Sequence, residues 1–306
     1  MAKKYSGINK AVLQRWDLAA ELMRIPEEAY DMPVKIVCDK TRKSSYTFGV
    51  IYSPYRKKRP SEKNVDTCPL CRVASEAQVD LRRNLFPERI LKDFIVTPNE
   101  YPSTHGACLA ITKNERPMYT TKHIGTLKGD LETISNLCVK TGYLFFHQTE
   151  GAGATFPRHE HWQLINWSNI YGRAGDKYGF EVAETDNLPG FDGVRFMPNF
   201  PFAHLIFDIH DFGRIEFFLK SLQKKHPKSN GLNSVPHTII QGDKDVLIVP
   251  FKGSSGKKLG AAHTAGHMYV HEEYQFKKAD YAFCIGLLKQ GIFLREELKL
   301  ENYLQS

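Results

Sequence analysis

The chain has 306 residues, 42% hydrophobic and 25% charged, with a formal net charge of +8 and a pI near 9.0. These values are those of a soluble globular protein with one large core or two modest ones. No run approaches the roughly eighteen apolar residues of a membrane span, and Met1-Ala2-Lys3-Lys4-Tyr5 lacks an apolar signal core, so a cytoplasmic protein with no membrane partner is expected.

Periodicity predicts the elements in chain order. Residues 8–24 read as an amphipathic helix and Tyr46 to Tyr52 as a strand. The basic run Arg56-Lys57-Lys58-Arg59 follows, then a polar loop over 61–67 and the pair Cys68-Pro69-Leu70-Cys71. Phe94 to Thr97 and Ala107 to Thr112 read as strands joined by a Pro- and Gly-containing turn. Lys128 to Gly142 reads as a helix. Tyr143 to His147 and His161 to Trp167 read as a hairpin around a Gly/Ala loop that contains Gly151, Gly153 and Thr155. The second half repeats the pattern loosely. Phe202 to Ile209 is a strand, Phe212 to Lys224 a helix, and His237 to Gln241 with Val246 to Pro250 a hairpin. Then come Ala265-Gly266-His267-Met268-Tyr269-Val270 and a closing helix near 278–290.

Six cysteines are too few for a disulfide scaffold. Only Cys68 and Cys71 have ligand spacing. Cys38, Cys108, Cys138 and Cys284 lie in apolar stretches and are expected as buried thiols. The positive charge suits a polyanion: a nucleotide, a phosphosugar or nucleic acid. No nucleic-acid-binding module is recognisable, so nucleic acid is not the expected partner. The arginines of the basic run suit a phosphate clamp, because a guanidinium binds phosphate oxygens bidentately.

His159-Glu160-His161-Trp162-Gln163 carries the most chemistry. On a strand, alternate residues share a face, so His159, His161 and Gln163 point one way. A neutral imidazole can attack phosphorus and carry a nucleotidyl group. A second can hold structure or a metal, and a glutamine amide can bind a phosphate oxygen.

This H-x-H-x-Q pattern resembles the active-site motif of the galactose-1-phosphate uridylyltransferase branch of the histidine-triad (HIT) superfamily, which includes diadenosine tetraphosphate phosphorylases and GDP-sugar phosphorylases. Ser53 to Pro60 resembles that branch's S-P-x-R-x-x-R-P segment. Cys68-Pro69-Leu70-Cys71 resembles its zinc half-site, and Asp93 to Pro102 the strand that lines its nucleotide pocket. The resemblance covers residues 45–167. It implies an α+β fold of two HIT-like modules, each an antiparallel sheet with packed helices, the second degenerate. The implied division is a helical extension over 1–44, a catalytic module over 45–180 and a second module over 181–306.

The resemblance also implies roles. His161 is the nucleophile and Gln163 the phosphate contact. Arg56, Arg59, Asn99, Gln148, Gly151, Gly153 and Thr155 bind substrate. Zn2+ sits on Cys68, Cys71 and His159, with Glu115 as fourth ligand and His123 as its substitute. A backbone carbonyl, that of Glu160, is expected to hold the His161 ring. The implied reaction moves a nucleoside monophosphate group from a nucleotide sugar or dinucleoside polyphosphate to a sugar phosphate or inorganic phosphate, in a homodimer. A phosphohydrolase and a non-catalytic nucleotide- or zinc-binding protein remain as alternatives. His204, His210, His237, His263, His267 and His271 repeat no ligand template and are expected as scattered structural histidines.

Overall fold

The computed structural model describes residues 2–27, 32–41, 46–58, 68–85, 93–102, 105–114, 124–149, 151–152, 159–166, 179–180, 183–225, 235–242, 244–253 and 259–305. Arg59, the 61–67 loop, Glu115, His123, Gly153 and Thr155 lie outside them.

The chain begins with helix α1 (Ala2–Leu22), then β1 (Val34–Val37) and β2 (Phe48–Tyr52), and a short 3-10 turn over Pro54–Lys58. Next are α2 (Pro69–Val79), β3 (Phe94–Pro98), β4 (Cys108–Thr112), α3 (Ile124–Thr141), β5 (Leu144–Gln148) and β6 (His161–Ile165). The second half holds β7 (Asp186–Asn187), β8 (Val194–Phe196), β9 (Leu205–Asp208), α4 (Phe212–Lys225), β10 (His237–Gln241) and β11 (Asp245–Pro250). It ends with α5 (Ala261–Thr264), β12 (His267–Val270), α6 (Glu273–Lys278), α7 (Tyr281–Lys289) and a 3-10 turn over Leu300–Tyr303.

Nine strands form one sheet in the order β3-β4-β6-β5-β10-β11-β9-β8-β7, and all of its pairings are antiparallel. The fold is α+β, as expected, and the sheet displays two copies of one unit. The first is β3-β4-α3-β5-β6 and the second β8-β9-α4-β10-β11. They meet where β5 pairs with β10, around the partners Phe146 and Ile240. The registers superpose outward from there. Gln163 opposite Phe146 corresponds to Leu247 opposite Ile240, and Leu109 opposite Gln163 to Ile206 opposite Leu247. By the same count His161 corresponds to Asp245, so the second unit lacks the motif's chemistry.

Alternation along the strands builds a core on each face. One face carries Phe94, Ala110, Trp162, Phe145, Ile239, Val246 and Phe207 against α1, α3 and α4. The other carries Phe146, Ile165, Ile240, Leu247 and Ile206 beneath β2, β12 and the C-terminal helices. A smaller cluster sets Leu70, Val73, Ala74 and Ala77 of α2 on Ile95 and Ile111.

β12 runs parallel to β2, more than two hundred residues earlier, in the three-stranded sheet β1-β2-β12. Gly266 makes this junction possible. Its φ is +96°, and an added Cβ would meet Gly179 Cα at 2.7 Å. The Gly266 carbonyl accepts from Gly49 N at 2.8 Å, which starts the pairing.

Some expectations are corrected. The closing helix expected near 278–290 is α7, which Asp280 caps by accepting from Phe283 N at 2.8 Å, and a short helix that was not expected, α6, precedes it. Cys68-Pro69-Leu70-Cys71 opens a helix that periodicity did not predict: Cys68 is the N-cap and Pro69 follows it, where proline's fixed φ and missing N–H fit. Cys38 is exposed because it follows the half-buried edge strand β1; Cys108, Cys138 and Cys284 are buried as expected.

Candidate active site and metal group

β6 lies between β4 and β5, with Ile111 opposite His161, Leu109 opposite Gln163, and Phe146 on the other side of Gln163. His161 and Gln163 share the face covered by α2 on the β3–β4 side and by the larger cluster on the β5 side. They occupy the seam between these two layers. His161 is buried and Gln163 half-buried.

His161 Nδ1 donates to the carbonyl of His159 at 2.9 Å. A carbonyl only accepts, so Nδ1 carries the proton and Nε2 the lone pair. The carbonyl is that of His159 and not of Glu160. The Glu160 oxygen belongs to the ladder with β4, accepting from Thr112 N at 3.2 Å and from the Thr112 hydroxyl at 3.3 Å.

His159 has the opposite tautomer. Its Nε2 donates to the Thr112 carbonyl at 2.9 Å. The Nδ1 lone pair then faces Cys68 Sγ at 3.4 Å and Cys71 Sγ at 3.2 Å. The three donor atoms lie within 4.8 Å of one another, and this is the one such group among the described residues. Two thiols and an imidazole lone pair, with the other ring nitrogen fixed by a carbonyl, could hold a metal ion.

The other predicted residues divide. Arg56 is half-buried, donates to the Tyr101 carbonyl at 3.2 Å and lies over the Tyr269 ring at 5.1 Å. Burial pulls its guanidinium below the ordinary value, and Tyr269 opposes this. Lys57 is exposed and paired with Glu272. Asn99 Oδ1 accepts from Tyr101 N at 3.0 Å, shaping the turn that Arg56 reaches. This turn lies beyond the level of Gln163 along the sheet, away from the cysteines.

Register places Gln148 beside His161, one step past the contact of His147 with Trp162, whose ring centroids are 4.8 Å apart. The Gln148 amide donates to the Ala152 carbonyl and, at 3.1 Å, to that of Leu259. It thereby ties the turn at Gly151, whose φ is +79°, to the second half of the chain. Sequence reasoning missed Thr112, Tyr101 and Tyr269. Two of them act through backbone carbonyls, which no residue type advertises; Tyr269 follows from the β2–β12 pairing.

The C-terminal histidines join no metal group among the described residues. His204 and His237 donate Nδ1 to the carbonyls of Phe202 and Val235, at 2.7 and 2.9 Å. Burial pulls their pKa values down to about 3 and about 4. His263 accepts from Gly260 N at 2.8 Å, and burial lowers it to about 4.

Comparison with known proteins places this fold. No family model matches the sequence, and no curated protein sequence matches it. Among solved structures the chain is similar to yeast Ap4A phosphorylase Apa2 in complex with AMP, with a TM-score of 0.64 and 14% identity over 93% of this chain and 96% of that one. The complex of the same enzyme with Ap4A gives 0.61 and 13% over 94% and 98%. An ADP-glucose phosphorylase from Arabidopsis thaliana with bound ADP-glucose gives 0.30 and 14% over 76% and 96%. The chain therefore has the fold of yeast Ap4A phosphorylase Apa2. Among the described residues no helix is long and apolar enough to cross a membrane.

Proposed function

We propose that the chain is a nucleotidyltransferase or phosphorylase working through a nucleotidyl-histidine intermediate. The observation that carries this reading is the His161 tautomer, fixed by the His159 carbonyl, on a strand that also presents Gln163 to the seam.

In the first step His161 Nε2 attacks the α-phosphorus of a nucleotide sugar or dinucleoside polyphosphate. The P–N bond forms, the P–O bond to the leaving phosphate breaks, and that oxygen keeps the electron pair. In the second step an oxygen of inorganic phosphate or a sugar phosphate attacks the same phosphorus. The P–N bond breaks and Nε2 regains its lone pair. The His159 carbonyl balances the cationic ring between the steps. Gln163 donates its amide to a phosphoryl oxygen, and the Gly151 turn, with Gly153 and Thr155, supplies further donors. Arg56 and Arg59 take the remaining phosphates.

Zinc is the ion proposed for Cys68, Cys71 and His159, with Glu115 or His123 completing the shell. Its role is structural: it would pin the start of β6 to α2 and so fix the height of His161. The catalytic module is taken as 45–180 and the degenerate one as 181–306. The test is mass spectrometry of products from a panel of nucleotide sugars and dinucleoside polyphosphates, with and without phosphate. Nucleotide formed only with phosphate or a sugar phosphate supports transfer. Free nucleoside monophosphate in their absence selects hydrolysis, and no turnover selects a binding protein.

A further inference from the structure

The second unit contains a cavity that the chemistry at His161 does not use. Its volume is about 410 Å³, within the roughly 300–1,000 Å³ of small-molecule sites. Leu188 on the β7–β8 hairpin, Phe196 at the end of β8, Leu205 at the start of β9, and Leu298 and Leu300 of the C-terminal segment supply apolar walls. It lies four strands from β6, roughly 19 Å at the usual strand spacing.

Arg295 is the half-buried cation of this wall, which also holds the half-buried Glu301 and the buried His204, whose ring nitrogens are taken by Met197 N and the Phe202 carbonyl. Arg295 Nη2 donates to the carbonyls of Met197 at 2.6 Å and Phe200 at 2.8 Å, and its plane lies over Phe196 at 4.7 Å. These contacts fix the guanidinium in place. Its Nε and Nη1 have no acceptor, and the half-buried charge no carboxylate partner, among the described residues. The neighbouring Glu297 is committed to Lys252 at 2.7 Å. Glu296 and Lys299, also in the lining, are solvent-exposed and of opposite sign. A guanidinium carries five N–H donors, so its unused edge suits one anionic head. A half-buried cation without a counter-ion is costly, and an anion supplied from outside relieves that cost.

We propose that this cavity is a second small-molecule site, for a monoanion with an apolar body such as a medium-chain carboxylate. The carboxylate meets the free edge of Arg295, and the chain lies against Phe196, Leu205, Leu298 and Leu300. The site takes no polyphosphate, because Arg295 is its one half-buried cation and the exposed Lys299 is offset by Glu296 and Glu301 in the same lining. The inference does not depend on the role of His161.

Isothermal titration of the full chain with octanoate tests this, with octan-1-ol and AMP as comparison ligands. Saturable one-to-one octanoate binding is expected, weakened at least tenfold for octan-1-ol and for octanoate on Arg295→Gln. Arg295 also braces the 197–200 turn, so a second variant is needed. Leu188→Trp, on the half-exposed hairpin, fills the cavity and should abolish octanoate binding while Tm is kept. Absence of octanoate binding to the parent chain, or equal binding by Leu188→Trp, would overturn the proposal. So would AMP binding in preference to octanoate that Leu188→Trp removes.

Discussion

His159, just before β6, and His161, the first residue of that strand, carry opposite tautomers. One gives Nε2 to Thr112 and turns Nδ1 to the cysteines; the other gives Nδ1 to His159 and keeps its lone pair on Nε2. The motif's residue types and spacing are legible in the sequence, but the tautomers are not, since each is set by a backbone carbonyl. Replacing the proposed nucleophile should be decisive: His161→Ala is expected to lose on the order of a thousandfold or more in kcat with Tm retained. Added imidazole should partly rescue His161→Gly. Near-full activity of the alanine variant rules out covalent transfer. The buried His204 and His237 and the half-buried His263 of the second half give a pH prediction. His204, His237 and His263 have folded-state pKa values of about 3, about 4 and about 4, below the ordinary ~6.5. The unfolded chain therefore binds their protons first. The stability they contribute is complete above pH ~6.5 and falls as pH drops toward 4, by about 1.4 kcal/mol per pH unit for each histidine. Urea midpoints measured from pH 7 to 4 should fall accordingly. A flat profile would contradict the reading that the fold holds these rings neutral.

At the scale of elements, strands with strong apolar character were readable and those defined by pairing were not. β3, β4, β10 and β11 fall within a residue or so of their predicted bounds. β1, β7 and β8 are strands of two to four residues, too short to show a periodic pattern, and only their neighbours make them strands. α2 was hidden because Cys68 and Cys71 read as metal ligands, although Pro69 after an N-cap residue marks a helix start. This element carries the metal prediction. Purified protein should hold about one zinc per chain, and Cys68→Ser/Cys71→Ser should lose the ion and lower Tm together; elemental analysis finding no zinc without chelators would dismiss it. The basic turn carries another. Arg56→Lys keeps the charge but not the fork that reaches Tyr101 and Tyr269, so turnover should fall while Lys57→Gln, removing an exposed and paired lysine, changes little. An equal loss in both, erased by salt, would reduce the segment to a charged surface.

At the scale of the whole molecule, two copies of a strand-strand-helix-strand-strand unit join in one sheet, and the H-x-H-x-Q residues stand in one copy alone. The second copy was legible as a loose repeat of periodicities. Its exact register was not, because β5–β10 and β2–β12 pair residues about ninety and more than two hundred apart, beyond the reach of any local pattern. The register sets Asp245 at the place of His161, where it pairs with Arg195. Asp245→Ala should therefore cost about 1 kcal/mol of stability or less and leave kcat unchanged, since the pair is partly exposed; a large loss of kcat would mean that the second copy takes part in the chemistry. The central claim is that a nucleotidyl group passes through His161. Its most direct test is intact-protein and peptide mass spectrometry after a brief incubation with a dinucleoside polyphosphate or nucleotide sugar, without an acceptor. The account predicts one nucleoside monophosphate group on the peptide carrying His161, removed by phosphate or a sugar phosphate and missing from His161→Ala. Turnover with no such adduct at any time, or the same adduct on His161→Ala, would contradict it.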